Sequence, residues 1–119
     1  MTDAELQEKL EYWQKRLRLA DWYITAKFVT VHELPDEIGN CKFDWETRSA
    51  VITLRHRDDW GPDYFPGAAV DDEEATLVHE LLHCSFAGFT EERDSVRDKL
   101  QHQAVNALSF ALVEEHRQL

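Results

Sequence analysis

The pentapeptide His79-Glu80-Leu81-Leu82-His83, an HExxH set in the apolar run from Ala75 to Phe86, is the feature that most restricts how this chain can fold. On an α-helix the two His lie four residues apart, so both rings fall on one face about one turn apart and can reach a single zinc ion. Glu80 sits one step round the helix, beside the metal rather than on it, where a carboxylate can take a proton from an activated water. The surroundings predict that helix. Asp71 caps it with Glu74 three residues on, Pro66-Gly67 punctuates the loop before it, and Leu77, Val78, Leu81 and Leu82 supply apolar cover.

Two imidazoles leave a catalytic zinc short of the three protein ligands it ordinarily takes beside one open position. A metzincin would continue with Gly three residues and His six residues after His83, but Phe86 and Phe89 stand there. The donors further along are Glu91, Glu92, Asp94, Asp98 and His102. His102 lies nineteen residues beyond His83, far enough for the chain to turn at Gly88 and return along the zinc helix. Asn106 follows one turn later, where its amide can orient a ligand. We take His102 as the leading third ligand and keep the four acids open. His32, His56 and His116 read as ordinary polar residues.

The rest of the chain reads as one α+β domain over residues 1–119. Leu6, Leu10, Trp13 and Leu17 recur at helical spacing and predict an amphipathic helix over 3–19. The β-branched and aromatic run Trp22 to Val31 predicts a first strand. Cys41 to Trp45 alternates as a second, and Ala50 to His56 forms a third, hairpinned to it through Glu46 to Ser49. We expect a small, mostly antiparallel sheet of three or four strands. The aromatic-rich loop 57–70 is a lid or part of a cleft. Thr90 caps a long last helix running toward His116, with Val96, Leu100, Ala104, Ala107 and Ala111 as its apolar line, broadened by Val105, Leu108 and Leu112. Cys41 and Cys84 are the two cysteines; a disulfide is not favoured, and Cys84 reads as a small core residue.

Taken together, these residues resemble the small gluzincin-type metallopeptidase domains, in particular the phage-associated minimal zincins and, more distantly, ImmA/IrrE-type peptidases. The resemblance rests on Asp21-Trp22-Tyr23-Ile24, an edge strand at Ala50 to His56, the run Thr76 to His83, and Gln103-Ala104-Val105-Asn106-Ala107-Leu108. It implies a zincin-like fold, zinc held by His79 and His83, Glu80 as general base, and a third ligand one position before the Gln-Ala-Val-Asn run. Relatives usually carry Glu there. Here His102 would make a three-His site with one more unit of positive charge.

The expected function is zinc-dependent hydrolysis of peptide bonds in a peptide or protein substrate. An extended substrate would lie along the strand Ala50 to His56, and Tyr64, Arg55 and His56 are candidate donors to the oxyanion. The alternative is a non-catalytic, zinc-stabilised protein-binding module. With 13 Lys plus Arg against 24 Asp plus Glu, the net charge of −11 argues against nucleic-acid and anionic-membrane partners and against a nuclease. The acidic N-terminus, followed by no apolar stretch, gives the expectation of a cytoplasmic protein, and we expect a monomer.

Overall fold

Among the described residues the central strand is the last of three. In the computed structural model, which describes residues 1–56, 59, 72–89 and 92–118, the elements are α1 (Asp3–Arg16), β1 (Tyr23–Val29), β2 (Gly39–Asp44), β3 (Ser49–Arg55), α2 (Glu73–Ser85) and α3 (Val96–Gln118), with a 3₁₀ turn at Ala87–Phe89. They make an α+β fold of three helices and a three-stranded mixed sheet in the order β1-β3-β2. Strand β2 runs antiparallel to β3, from Gly39 opposite Leu54 to Asp44 opposite Ser49, which is the expected hairpin. Strand β1 runs parallel to β3, from Tyr23 opposite Ser49 to Val29 opposite Arg55.

Two expectations are therefore corrected. The sheet is mixed rather than mostly antiparallel, and the strand expected at an edge is the centre. Residues 30–38 carry the chain across the end of β3, because Val29 and Gly39 pair with its adjacent residues Arg55 and Leu54. That crossing leaves the middle position to the strand best able to fill it. Ala50, Ile52 and Leu54 are all buried and form the face of β3 that joins the helices in the core.

Helix α1 begins with a reciprocal capping box in which the Thr2 hydroxyl accepts the Glu5 N–H and the Glu5 carboxylate accepts the Thr2 N–H. Its buried face is Leu6, Leu10 and Trp13. It stops at Leu17, before the expected end at 19, because Arg18 turns into the left-handed region at φ 62° and delivers Leu19 to the core. The cap of α2 is Asp72, whose side chain accepts the Ala75 N–H. The expected cap, Asp71, lies outside the described residues, as do the loop 60–71 and Thr90. Helix α3 starts at Val96, where the Ser95 hydroxyl accepts the Asp98 N–H as an N-cap does.

The apolar line expected on α3 is also corrected. The helix buries Val105, Ser109 and Val113, while Val96 is 74% and Leu100 57% exposed. Apolar residues occur all round this helix, so its sequence offers two faces; α2 meets the one with branched valines. No helix among the described residues is long and apolar enough to cross a membrane.

A polar knot, buried at Trp13 and Glu74 and reaching solvent at Lys9 and Arg117, joins the three helices. Trp13 Nε1 donates to Glu74 Oε2 at 2.7 Å, Lys9 lies 3.4 Å from the same oxygen, and Arg117 reaches Glu74 Oε1 at 3.2 Å and Asp72 Oδ1 at 2.8 Å. Burial pushes the Asp72 carboxyl up, but the Arg117 guanidinium and the N–H groups of Ala75 and Glu74 together hold it below the usual range. Glu74→Ala leaves the indole N–H of Trp13 buried without its acceptor. We expect a loss of roughly 1–3 kcal/mol in urea denaturation, against a change within about 0.5 kcal/mol for the exposed control Glu8→Ala.

Candidate metal centre

Helix α2 is buried from Glu73 to Leu82 except at His79, and opens to solvent on the side carrying His79 and His83. The sequence dictates this: its apolar residues contact the sheet and α1, and the two His are left facing β2 and α3. Their Nε2 atoms lie 3.2 Å apart and their ring centroids 4.9 Å apart. His79, Glu80 and His83 bring ligand atoms within 4.8 Å of one another and form a group that could hold a metal ion.

Helix α3 brings a third ring to the pair. The His102 centroid lies 5.0 Å from that of His83 and 6.4 Å from that of His79. His102 Nδ1 is 3.1 Å from the carbonyl oxygen of Asp98. A carbonyl can only accept, so Nδ1 carries the proton and the Nε2 lone pair is left for a cation. Asn106, one turn on, lines the same cleft as the two His. Burial, followed by the neighbouring His79 and His102 rings, lowers His83 to about 4 against the partial support of Asp98. Burial also lowers His79, partly opposed by the nearby Asn106 amide. Both rings are thus neutral at pH 7, the state in which imidazole binds metal.

Glu80 is 6% exposed, with Oε1 3.9 Å from His79 Nε2. Burial, then the charges of Glu37 and Cys84, push its carboxyl up to about 8. Strand β2 closes over it through Gly39. A Cβ at Gly39 would stand 2.8 Å from Thr76 Cγ2 and 3.3 Å from Glu80 Oε1, so only glycine lets the strand come this close. Beyond the His pair lies a cleft of about 540 Å³ between β2 with its preceding loop on one side and α2 and α3 on the other.

Among the expected third ligands, His102 and Asp98 line this cleft. Glu92 and Asp94 are exposed and do not, and Glu91 lies outside the described residues. Of the candidate oxyanion donors, Arg55 is buried and donates to the Glu37 carbonyl, and His56 hydrogen-bonds the Met1 carbonyl. Neither lines the cleft, and Tyr64 lies outside the described residues. His116 bonds Tyr12, far along α3. Sequence reading missed the wall formed by Glu37, Gly39, Cys41 and Phe43. Gly39 was visible only as turn punctuation, and nothing local in Glu37 or Cys41 signals a cleft. Cys84 is a core residue, as expected, and its sulfur meets that of Cys41, pushing the Cys41 thiol up through a shared hydrogen bond.

No family model, no curated protein and no solved structure matches this chain.

The raised Glu80 makes a pH-dependent prediction for the metal-free protein. Folded Glu80 keeps a proton to about 8 that the unfolded chain releases near 4.5. Its contribution is complete below 4.5 and declines as pH rises through 8. Glu80→Gln cannot ionise, so it should gain stability over the wild type on the order of 4 kcal/mol at pH 8 and under about 1 kcal/mol at pH 5. Urea unfolding of both proteins in a chelator at the two pH values reads that difference directly; equal gains at both would exclude a buried, protonated Glu80.

Proposed function

We propose that this chain is a zincin-like, zinc-dependent hydrolase of peptide bonds, with His79, His83 and His102 as ligands and Glu80 as general base. The observation that carries the proposal is a buried carboxylate next to a pair of neutral imidazoles at ligand spacing. Two nitrogens each about 2.0–2.1 Å from one tetrahedral zinc are about 3.3 Å apart, and the His pair stands at 3.2 Å. The donor set thus fits the ion, and the His102 ring and the open cleft leave room for a third ligand and a substrate.

Bound there, zinc would supply an acidified water and a polarised carbonyl. Glu80 takes the proton of the attacking water and returns it to the leaving amine. A cation at the His pair opposes the burial and the Glu37 charge that hold Glu80 protonated, which brings the carboxylate toward the working range of a base. Gly39 sets how closely β2 approaches that carboxylate, and the Asn106 amide in the same cleft would orient the His79 ring. The substrate strand is reassigned from β3 to β2. Among the described residues β2 is an outer strand of the sheet, paired on one edge only, and it lines the cleft, so an extended peptide can pair with its other edge while Phe43, Phe86 and Phe110 receive side chains.

A purely structural ion in a protein-binding module gains nothing from a buried, raised carboxylate, and it ordinarily has four protein ligands. Zinc content per chain and hydrolysis of a peptide library separate the two roles. We expect about one zinc per chain in the wild type, much less in His102→Ala, and an unchanged content in Glu80→Gln. Hydrolysis by Glu80→Gln should fall by roughly 10²–10⁴. Gly39→Ala should retain zinc and lose activity by displacing Glu80. Wild-type protein that takes up no zinc, or Glu80→Gln with full activity, would refute the proposal.

A further inference from the structure

The Cys41 and Cys84 sulfurs lie 3.7 Å apart although 43 residues separate them in the chain. Both are free thiols. Cys41 sits on the outer strand β2 and Cys84 on α2, directly after His83. Cys41 lines the metal cleft, and Cys84 lines a second depression beside Trp22 and Trp45 on another side of the molecule. Cys84 itself is only 3% exposed, so a small molecule reaches the pair through the half-buried Cys41 on the cleft side. A disulfide brings sulfurs to about 2.05 Å. The remaining approach of about 1.7 Å falls on a half-buried residue of a strand paired on one side only among the described residues.

We propose that Cys41 and Cys84 form a reversible thiol–disulfide site whose oxidant is a low-molecular-weight disulfide. In the forward direction one cysteine sulfur attacks the small disulfide, releasing one small thiol and leaving a mixed disulfide on the protein. The second cysteine sulfur then attacks that mixed disulfide, forming the Cys41–Cys84 bond and releasing the second small thiol. Two electrons and two protons pass from the cysteines to the oxidant, and excess small thiol reverses both steps. The bond would tie β2 to α2 two residues from Gly39 and one helical turn from Glu80. It therefore locks the wall of the cleft against the helix that carries its chemistry. The site stands on the sulfur geometry alone and holds whether or not the chain is a hydrolase.

Oxidised glutathione tests it, with intact mass, peptide mapping and melting temperature as readouts on the purified protein. The expected result is loss of two hydrogens per chain, a single cross-linked peptide pair containing Cys41 and Cys84, a raised melting temperature, and full reversal by dithiothreitol. Cys41→Ser should give no loss of two hydrogens and no shift in melting temperature. Peptide mapping of the wild type decides the matter even if that variant folds poorly. Stable glutathione adducts on separate cysteines, disulfides between chains, or two thiols untouched while a control dithiol protein is oxidised would each overturn the proposal.

Discussion

Helix α2 has almost no solvent-facing surface, and the rest of the molecule is arranged around that constraint. A helix covered by a sheet on one side and by α1 and α3 on others can expose polar groups only where the cover is incomplete. Yet Glu73, Glu74, Thr76 and Glu80 are all buried on it. Burying a carboxylate without a partner is costly, and an ion in a dry site must be paired, neutralised or bound to metal. Glu73 takes the Met1 amine, Glu74 takes Trp13, Lys9 and Arg117, and the Thr76 hydroxyl donates to the Asp72 carbonyl. Glu80 differs. Among the described residues, its ion-pair geometry is with the His79 ring alone, and burial keeps that ring neutral. The least compensated carboxylate of the helix therefore stands beside the two imidazoles best able to hold a cation.

The sheet serves the same end. With β3 in the centre, its apolar face supports α2 from below, and β2 becomes the strand that reaches past the helix into the cleft. An outer strand has unpaired backbone groups on one edge and is the part of a sheet most able to receive another chain. Gly39 then sets the distance between that edge and Glu80, because any side chain there would collide with Thr76. The position of one glycine thus joins sheet topology to the environment of the proposed base.

Local signals in the sequence were sufficient for the parts of the fold that depend on them. The helix bearing His79 and His83, the Leu6-Leu10-Trp13 face of α1 and the β2–β3 hairpin follow from periodicity and turn chemistry, and the structure has them. Strand order does not follow from such signals. A run such as Ala50 to Leu54 buries Ala50, Ile52 and Leu54 whether it lies at an edge or in the centre, and only the path of residues 30–38 decides which. The face of α3 was ambiguous for a related reason. Its apolar residues populate two lines, and choosing between them requires knowing where α2 crosses. Within the site, His102 and Asn106 were legible because their spacing from His83 implies a returning helix. Glu37, Gly39 and Cys41 were not, because they reach the cleft through a non-local strand position that no local pattern encodes.

Replacing a carboxylate ligand by His102 changes the charge that the proposed site must manage. Three neutral imidazoles leave a divalent cation with both its charges, and a low-dielectric cleft amplifies that field. Asp36, Glu37 and Asp98 line the same cleft, and Glu80 adds a fourth acid. Glu37 is close enough to raise the Glu80 carboxyl, so the acids already act on one another before any metal arrives. Negative charge that other zinc sites place on a ligand would here be placed around the ion, where it still favours cation binding but leaves the ion a stronger Lewis acid. A cation bound at the proposed site would draw the proton off Glu80 and offset the neighbouring acids, which would couple metal uptake to the closeness of β2 and α2. That coupling runs through Gly39 and Glu80, the point at which the outer strand and the metal helix nearly touch.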